Sequence, residues 1–209
     1  GTLTFSEALR AVRLRGERMF EAGEARPGTM AALLGMEDAA VDELCRDASV
    51  DEADLVVSAN FNAPGQVVIS GDVTAVTRAM ELARDRGARR VVPLSVSGAF
   101  HSPLMVPARD ALEEHLGAVS FRDPTFPVVS NVTARPVTDL AEARELLVRQ
   151  LTSPVRWAES VEAMVAEGME RFVEVGPGNV LTGLNRRNAR GVESQAVGTP
   201  AELDALLGG

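Results

Sequence analysis

His101 is the side chain in this sequence best suited to chemistry. It lies in Ser97-Gly-Ala-Phe-His-Ser-Pro-Leu-Met105, where the apolar run 90–96 ends and a helix begins. Ser102 is a helix cap by type, and Pro103 fits a first turn, where a missing N–H costs nothing. A histidine at such a junction is held by rigid elements yet faces a loop. Imidazole titrates near neutrality, so the position suits a general base. Arg15 is the second candidate. It sits at the edge of the stripe Phe5, Ala8, Leu9, Val12, Gly16 and Met19, an apolar helical face over residues 4–22 that opens on the capping box Thr4-Phe-Ser-Glu7. A guanidinium flanking an apolar face requires an anion. Gln150 is the third. It falls inside the stripe Leu140, Ala143, Leu146, Leu147 and Leu151, where a polar amide must find partners.

The elements that position these groups follow from periodicity. Residues 29–35 read as a strand, 37–48 as a helix, 54–60 and 66–70 as strands joined by 61–65, 72–87 as a helix and 89–96 as a strand. This β-α-β-β-α-β order is the ferredoxin-like arrangement. Helices are expected at 103–116, 139–151, 157–168 and from 179, with strands at 127–132 and 171–175. Residues 191–209 read as a sparse, loosely attached tail with one short helix at 200–207. Strand, Gly176-Pro-Gly178 and helix weakly suggest a phosphate cradle, but no Walker ending or full G-x-G-x-x-G is present.

Composition sets outer limits. The 209 residues are 45% hydrophobic and 24% charged, the profile of a soluble globular protein. A net charge of −9 argues against broad nucleic-acid or membrane binding and leaves Arg89-Arg90 and Arg186-Arg187 as local basic patches for an acidic partner. The single cysteine, Cys45, excludes an internal disulfide and suits a reducing cytoplasm, and it reads as a small buried hydrophobe. Two histidines and one cysteine have no metal-ligand spacing. No export signal is visible, and the start reads as a cut through a longer chain.

Six motifs then occur in one order: Val12-Arg-Leu-Arg-Gly-Glu-Arg-Met19, Asn60-Phe-Asn-Ala-Pro-Gly-Gln-Val-Val-Ile-Ser-Gly71, Gly98-Ala-Phe-His-Ser-Pro-Leu-Met105, Val128-Val-Ser-Asn-Val132, Leu147-Val-Arg-Gln-Leu-Thr-Ser-Pro-Val-Arg-Trp157 and Glu174-Val-Gly-Pro-Gly-Asn-Val-Leu-Thr-Gly183. Over residues 1 to about 188 the chain resembles the malonyl-CoA:acyl-carrier-protein transacylases of bacterial fatty-acid synthesis. The resemblance implies an α/β fold: part of an α/β-hydrolase-like acyltransferase domain (1–28 and 97–190) with an inserted ferredoxin-like (βαββαβ) subdomain (29–96), followed by the 191–209 tail. It implies an acyltransferase of fatty-acid biosynthesis that moves malonyl from malonyl-CoA to the phosphopantetheine thiol of acyl carrier protein through an acyl-serine. No bound cofactor, nucleic acid or membrane is expected, and the enzyme is expected to be a cytoplasmic monomer.

In that resemblance His101 matches the catalytic base, and Gln150 the residue whose backbone carbonyl orients it. Arg15 matches the arginine that pairs with the malonyl carboxylate. Met19 and Phe100 match the acyl pocket. Asn62, Gln66 and Arg90 match positions near the coenzyme A or pantetheine channel. A fork-shaped cation suits a carboxylate and disfavours acetyl, which would leave it unpaired, while Phe100 disfavours a branched methylmalonyl group. The sequence departs from the family in one respect: no G-x-S-x-G elbow occurs in residues 1–209, and neither Ser97 nor Ser102 replaces it. The elbow and an oxyanion-hole loop are expected upstream of Gly1, and these residues alone are expected to be inactive. Two alternatives remain open at this point, a non-catalytic carrier-protein or coenzyme A binding module and an acyltransferase domain of a polyketide synthase.

Overall fold

The computed structural model describes residues 1–208. The chain begins with α1 (Phe5–Ala25), whose Thr4 hydroxyl and Glu7 carboxylate form the expected capping box. A four-stranded antiparallel sheet follows, made of β1 (Gly28–Leu34), β2 (Val56–Ala63), β3 (Gln66–Asp72) and β4 (Arg90–Pro93), with α2 (Asp38–Ala48) and α3 (Val73–Asp85) between strands. The strand order β2-β3-β1-β4 is that of a ferredoxin-like sheet. Alternation splits its side chains. Ala31, Leu33, Val67 and Ile69 face Val41, Leu44, Cys45, Val76 and Ala79 of the two helices. Met30, Ala32, Val68 and Ala59 face the other way and meet Leu94 and Phe100.

A second core joins α1 to α4 (Val106–Gly117) and α5 (Leu140–Arg149) through Ala11, Met19, Ala22, Ala99, Met105, Leu112 and Leu151. Arg26, just past α1, anchors that helix to the sheet. Its Nε and Nη2 donate to the two Asp72 carboxylate oxygens at 2.9 and 2.8 Å, a bidentate pair. Beyond α5 lie α6 (Trp157–Ala166), β7 (Arg171–Val175), α7 (Val180–Asn188), β8 (Glu193–Val197) and α8 (Pro200–Leu207).

Several expectations need correction. The apolar stripe of α1 is buried only in part: Met19 is in the core, but Phe5, Leu9 and Val12 are exposed, at 83, 58 and 67%. Beside Met19 the helix buries Ala11, Ala22 and Gly23, because small residues let α4 and the 97–99 backbone approach. A Cβ at Gly23 would stand 2.2 Å from Ser97 O. The 61–65 connection is a tight turn at Pro64-Gly65, with Gly65 at φ 68°, because β2 continues to Ala63. The 89–96 strand is only Arg90–Pro93, and the helix from 103 starts with a 3-10 turn at Pro103–Met105. The 127–132 strand shrinks to β5 (Val128–Val129), paired with β6 (Pro136–Val137). The expected 191–209 tail contains β8, which pairs in parallel with β7 along its whole length, so backbone hydrogen bonds hold it down. Its last residue, 209, lies outside the described residues.

Candidate active site

The turn carrying His101 is clamped on both sides. Ala99 and Met105 are fully buried, and Ser102, also buried, donates its hydroxyl to Ala99 O at 2.7 Å and accepts from Leu104 N at 3.2 Å. Ser102 is therefore a cap. Between these anchors His101 adopts φ 58°, a left-handed conformation uncommon for any residue but glycine and sustained only where the surroundings impose it. Its Nδ1 lies 2.9 Å from the backbone carbonyl of Gln150, the residue that ends α5. With Nδ1–H donating to that oxygen, the lone pair is on Nε2. The Gln150 side chain donates from Nε2 to Ser153 O at 3.0 Å and closes the loop that presents its own carbonyl.

Burial is the main cause that lowers the His101 pKa, and the nearby Arg15 charge adds to it. The Gln150 and Ser153 carbonyls act in the opposite direction. The imidazole is thus kept neutral at pH 7, the state a base requires. Arg15 is itself half-buried, and desolvation lowers its pKa. Among the described residues it forms no ion pair. An uncompensated guanidinium near a neutral imidazole can receive an anion.

The remaining residues separate into groups. Met19 is buried in the core between α1 and α4, and Phe100 packs against both that core and the sheet face turned away from α2 and α3. Asn62 and Gln66 border the β2–β3 turn, where the end of α7 occupies them. Asn188 Nδ2 donates to Asn62 O at 2.8 Å, and Arg187 Nη2 donates to Gln66 Oε1. Arg90 is exposed at the start of β4. His101 also borders an open cleft of about 1200 Å3 between α2 and α6, with Phe61, Pro103, Ser153 and Pro154. Arg15, Met19, Phe100, Asn62, Gln66 and Arg90 do not line that cleft. Cys45, on its wall, has its thiol pKa pushed up to about 12 by burial and is chemically quiet. The N-terminus of α7 is no phosphate cradle. Glu174 already fills it, accepting from Leu181 N at 3.0 Å and Thr182 N at 2.7 Å. Sequence reasoning missed the anchors Arg187 and Asn188. The only signal for them was the Arg186-Arg187 pair.

Comparison with known proteins matches the acyl transferase domain family to residues 1–203. The chain belongs to that family. It is 46% identical over 207 residues to a malonyl CoA-acyl carrier protein transacylase of Bacillus subtilis, covering 99% of this chain and 65% of that protein. The malonyl-CoA:acyl carrier protein transacylase of Xanthomonas oryzae superposes with a TM-score of 0.93 at 43% identity, over 100% of this chain and 66% of its own. A malonyl-transacylase solved in complex with its type II polyketide-synthase acyl-carrier protein superposes at 0.91 with 39% identity, over 100% and 67%. The chain thus spans about two thirds of the length of these acyltransferases. No helix among its described residues is long and apolar enough to cross a membrane.

Proposed function

We propose that this chain carries the base and the carboxylate receptor for malonyl transfer from coenzyme A to a carrier-protein phosphopantetheine thiol. The supporting observation is the pairing of a carbonyl-oriented, neutral His101 with a half-buried Arg15 that has no carboxylate partner. The printed names of the relatives supply the donor and the acceptor. In this reading the hydrolase-like part (1–28 and 97–190) holds His101, Gln150, Arg15 and Met19. The ferredoxin-like part (29–96) presents Asn62, Gln66 and Arg90 to the pantetheine arm.

The reaction needs a serine that these 209 residues do not carry on an elbow. Its hydroxyl oxygen attacks the thioester carbonyl while His101 Nε2 takes the proton. That proton passes to the leaving coenzyme A thiolate. The carrier thiol then gives its proton to His101, attacks the malonyl ester and returns the serine hydroxyl. Arg15 holds the carboxylate throughout, which aligns the reacting carbonyl.

The test is titration of the chain with malonyl-pantetheine and acetyl-pantetheine. The malonyl compound binds at least about tenfold tighter, in keeping with a charge-assisted pair, and Arg15→Met abolishes the difference. Equal binding of the two refutes the reading. The second reading is a binding module without chemistry. Hydroxylamine-labile malonyl label on the chain itself would remove that alternative.

A further inference from the structure

His101 is oriented by a loop that the ferredoxin-like sheet holds from outside. The loop leaves α5 at Gln150, whose backbone N–H still donates to Leu146 O at 3.0 Å, and reaches Val155 after residues 151–154. Its first carbonyl, that of Gln150, takes the contact with His101 Nδ1. Ser153 presents a second. Burial lowers the imidazole pKa, and the Gln150 and Ser153 carbonyls both oppose that shift. Leu151 is fully buried in the core shared by α1 and α4, which pins the inner end of the loop. Pro154 fixes its own φ and confines Ser153 to extended backbone, so the direction of the Ser153 carbonyl is preset.

Val155 then docks on the edge strand β2. Its N–H donates to Ala59 O and its carbonyl accepts from Phe61 N, both at 2.8 Å, in a parallel bridge beyond the four-stranded sheet. Arg156 N–H donates to Asn131 O at 2.9 Å, so the next residue is held from the other side. β2 is irregular at this point. Its pairing with β3 shifts register between Ser58 and Asn60 and again between Phe61 and Ala63, at both ends of the docked segment. Such bulges re-aim a strand edge and recur beside active sites. Ala59 has a second link to the same place. Its side chain is fully buried with Met30 and Val68 in the cluster that Phe100 packs against, and Phe100 precedes His101. The contacts close a circuit that runs from the Ala59 carbonyl through Val155, the Ser153 and Gln150 carbonyls, His101 and Phe100 back to the Ala59 side chain.

We infer that Val155 is a positioning residue for His101: by docking on β2 it makes the ferredoxin-like sheet, and not α5 alone, the support that fixes which imidazole nitrogen carries the proton. This rests on the reading of His101 as the base and deepens it. The base requires its lone pair on Nε2, and a carbonyl that accepts from Nδ1–H selects that tautomer. A loop released from β2 carries its carbonyls away and frees the ring to adopt the other one. A merely structural Val155 would add stability and leave the tautomer untouched.

The readout is the His101 tautomer ratio, measured by imidazole nitrogen NMR on the histidine-labelled chain. The sequence has two histidines, and His115 on α4 serves as the internal reference. Wild-type His101 is expected to carry its proton on Nδ1. Replacing Val155 by its α-hydroxy acid turns one amide into an ester, which removes the N–H given to Ala59 O and keeps the side chain. The ratio of Nδ1–H to Nε2–H should fall about five- to tenfold, the equivalent of one ordinary hydrogen bond. Val155→Pro removes the same N–H and shifts the ratio in the same direction. Gln150→Leu cuts the bond from Nε2 to Ser153 O and should lower the ratio by a smaller factor, about two- to threefold. The same ester at Val192, whose N–H donates to Ala189 O at 3.1 Å before β8, leaves the ratio unaltered. Thermal unfolding of each variant checks that it folds. A ratio unchanged by the ester at 155 overturns the inference, whatever happens to stability, as does a wild-type His101 protonated on Nε2. If neither variant at 155 folds, hydrogen exchange on the wild-type chain in sub-denaturing urea decides. Opening of the Val155 and Phe61 amides and loss of the Nδ1–H tautomer should then share one urea dependence, and separate dependences overturn the inference. The malonyl-over-acetyl preference tests the acyl-transfer reading without reference to the tautomer, so the two can fail independently.

Discussion

Arg15→Met should make the free chain more stable and the binding site useless. In the absence of ligand, Arg15 is half-buried with no carboxylate beside it, and burial already lowers its pKa. Methionine keeps the aliphatic stem against the apolar edge of α1 and removes the charge. Replacing poorly compensated buried charge by apolar groups stabilises proteins by about 1–4 kcal/mol. Arg15 is only half-buried, which places the gain near the low end, about 1–2 kcal/mol. For a chain of this size that raises the unfolding midpoint by roughly 2–8 °C. The sign reverses with ligand. Malonyl-pantetheine at about 100 times its dissociation constant adds about 2.7 kcal/mol to the wild-type chain, so the order of the two midpoints inverts as ligand is added. Differential scanning calorimetry with and without the ligand reads both effects. A variant less stable than wild type in buffer would mean that Arg15 is a structural group with a partner. Equal stabilisation of both proteins by the ligand would mean that its carboxylate binds elsewhere.

Four further outcomes can be checked. Burial holds the His101 pKa below its usual value of 6.5, so the unfolded chain takes up a proton there before the folded one does. Stability therefore falls as pH drops from about 6.5 toward the lower folded value, and His101→Gln flattens urea-denaturation stability in that window. Gly23→Ala gains about 1 kcal/mol of helix propensity but drives a Cβ to 2.2 Å from Ser97 O. The net result should be a loss of about 2 kcal/mol or more, together with weaker malonyl binding as the His101 turn shifts, read by denaturation and titration. Leu151→Ala empties a fully buried position next to Gln150 and should cost about 3 kcal/mol in the same denaturation assay. Replacing Phe5, Leu9 and Val12 by serine removes an exposed apolar stripe and should lower self-association in sedimentation velocity.

Much of this fold was legible because its signals are local. Thr4 and Glu7 are three residues apart, and their capping box forms as read. The strands and helices between 28 and 93 alternate at periods a single sequence displays, and the sheet closes in the ferredoxin-like order. The buried side of α1 was legible only at Met19, because the helix has two apolar sides and hydropathy favours the larger residues. The neighbours chose Ala11, Ala22 and Gly23, whose value is closeness and not hydrophobicity. β8 escaped notice because Glu-Ser-Gln-Ala-Val carries little strand signal of its own. Its partner β7 supplies the hydrogen bonds from 22 residues away. His101 and Gln150 could be singled out from type and spacing, whereas the anchor Arg187 could not. Nothing in a linear reading couples it to Gln66 across 121 residues.

The partner of His101 Nδ1 is a main-chain oxygen, and this has a genetic consequence. A side-chain carboxylate in that place could be deleted by one codon change, whereas a carbonyl persists whatever residue stands at 150. Substitutions at Gln150 can act on the imidazole only indirectly, through the Nε2 bond to Ser153 O that shapes the loop. A scan of single replacements would therefore record a graded, tolerant position at 150 beside an intolerant one at 101, and would underrate the group that aims the base. The same oxygen adds no formal charge, so the imidazole is oriented without placing an anion near the half-buried Arg15.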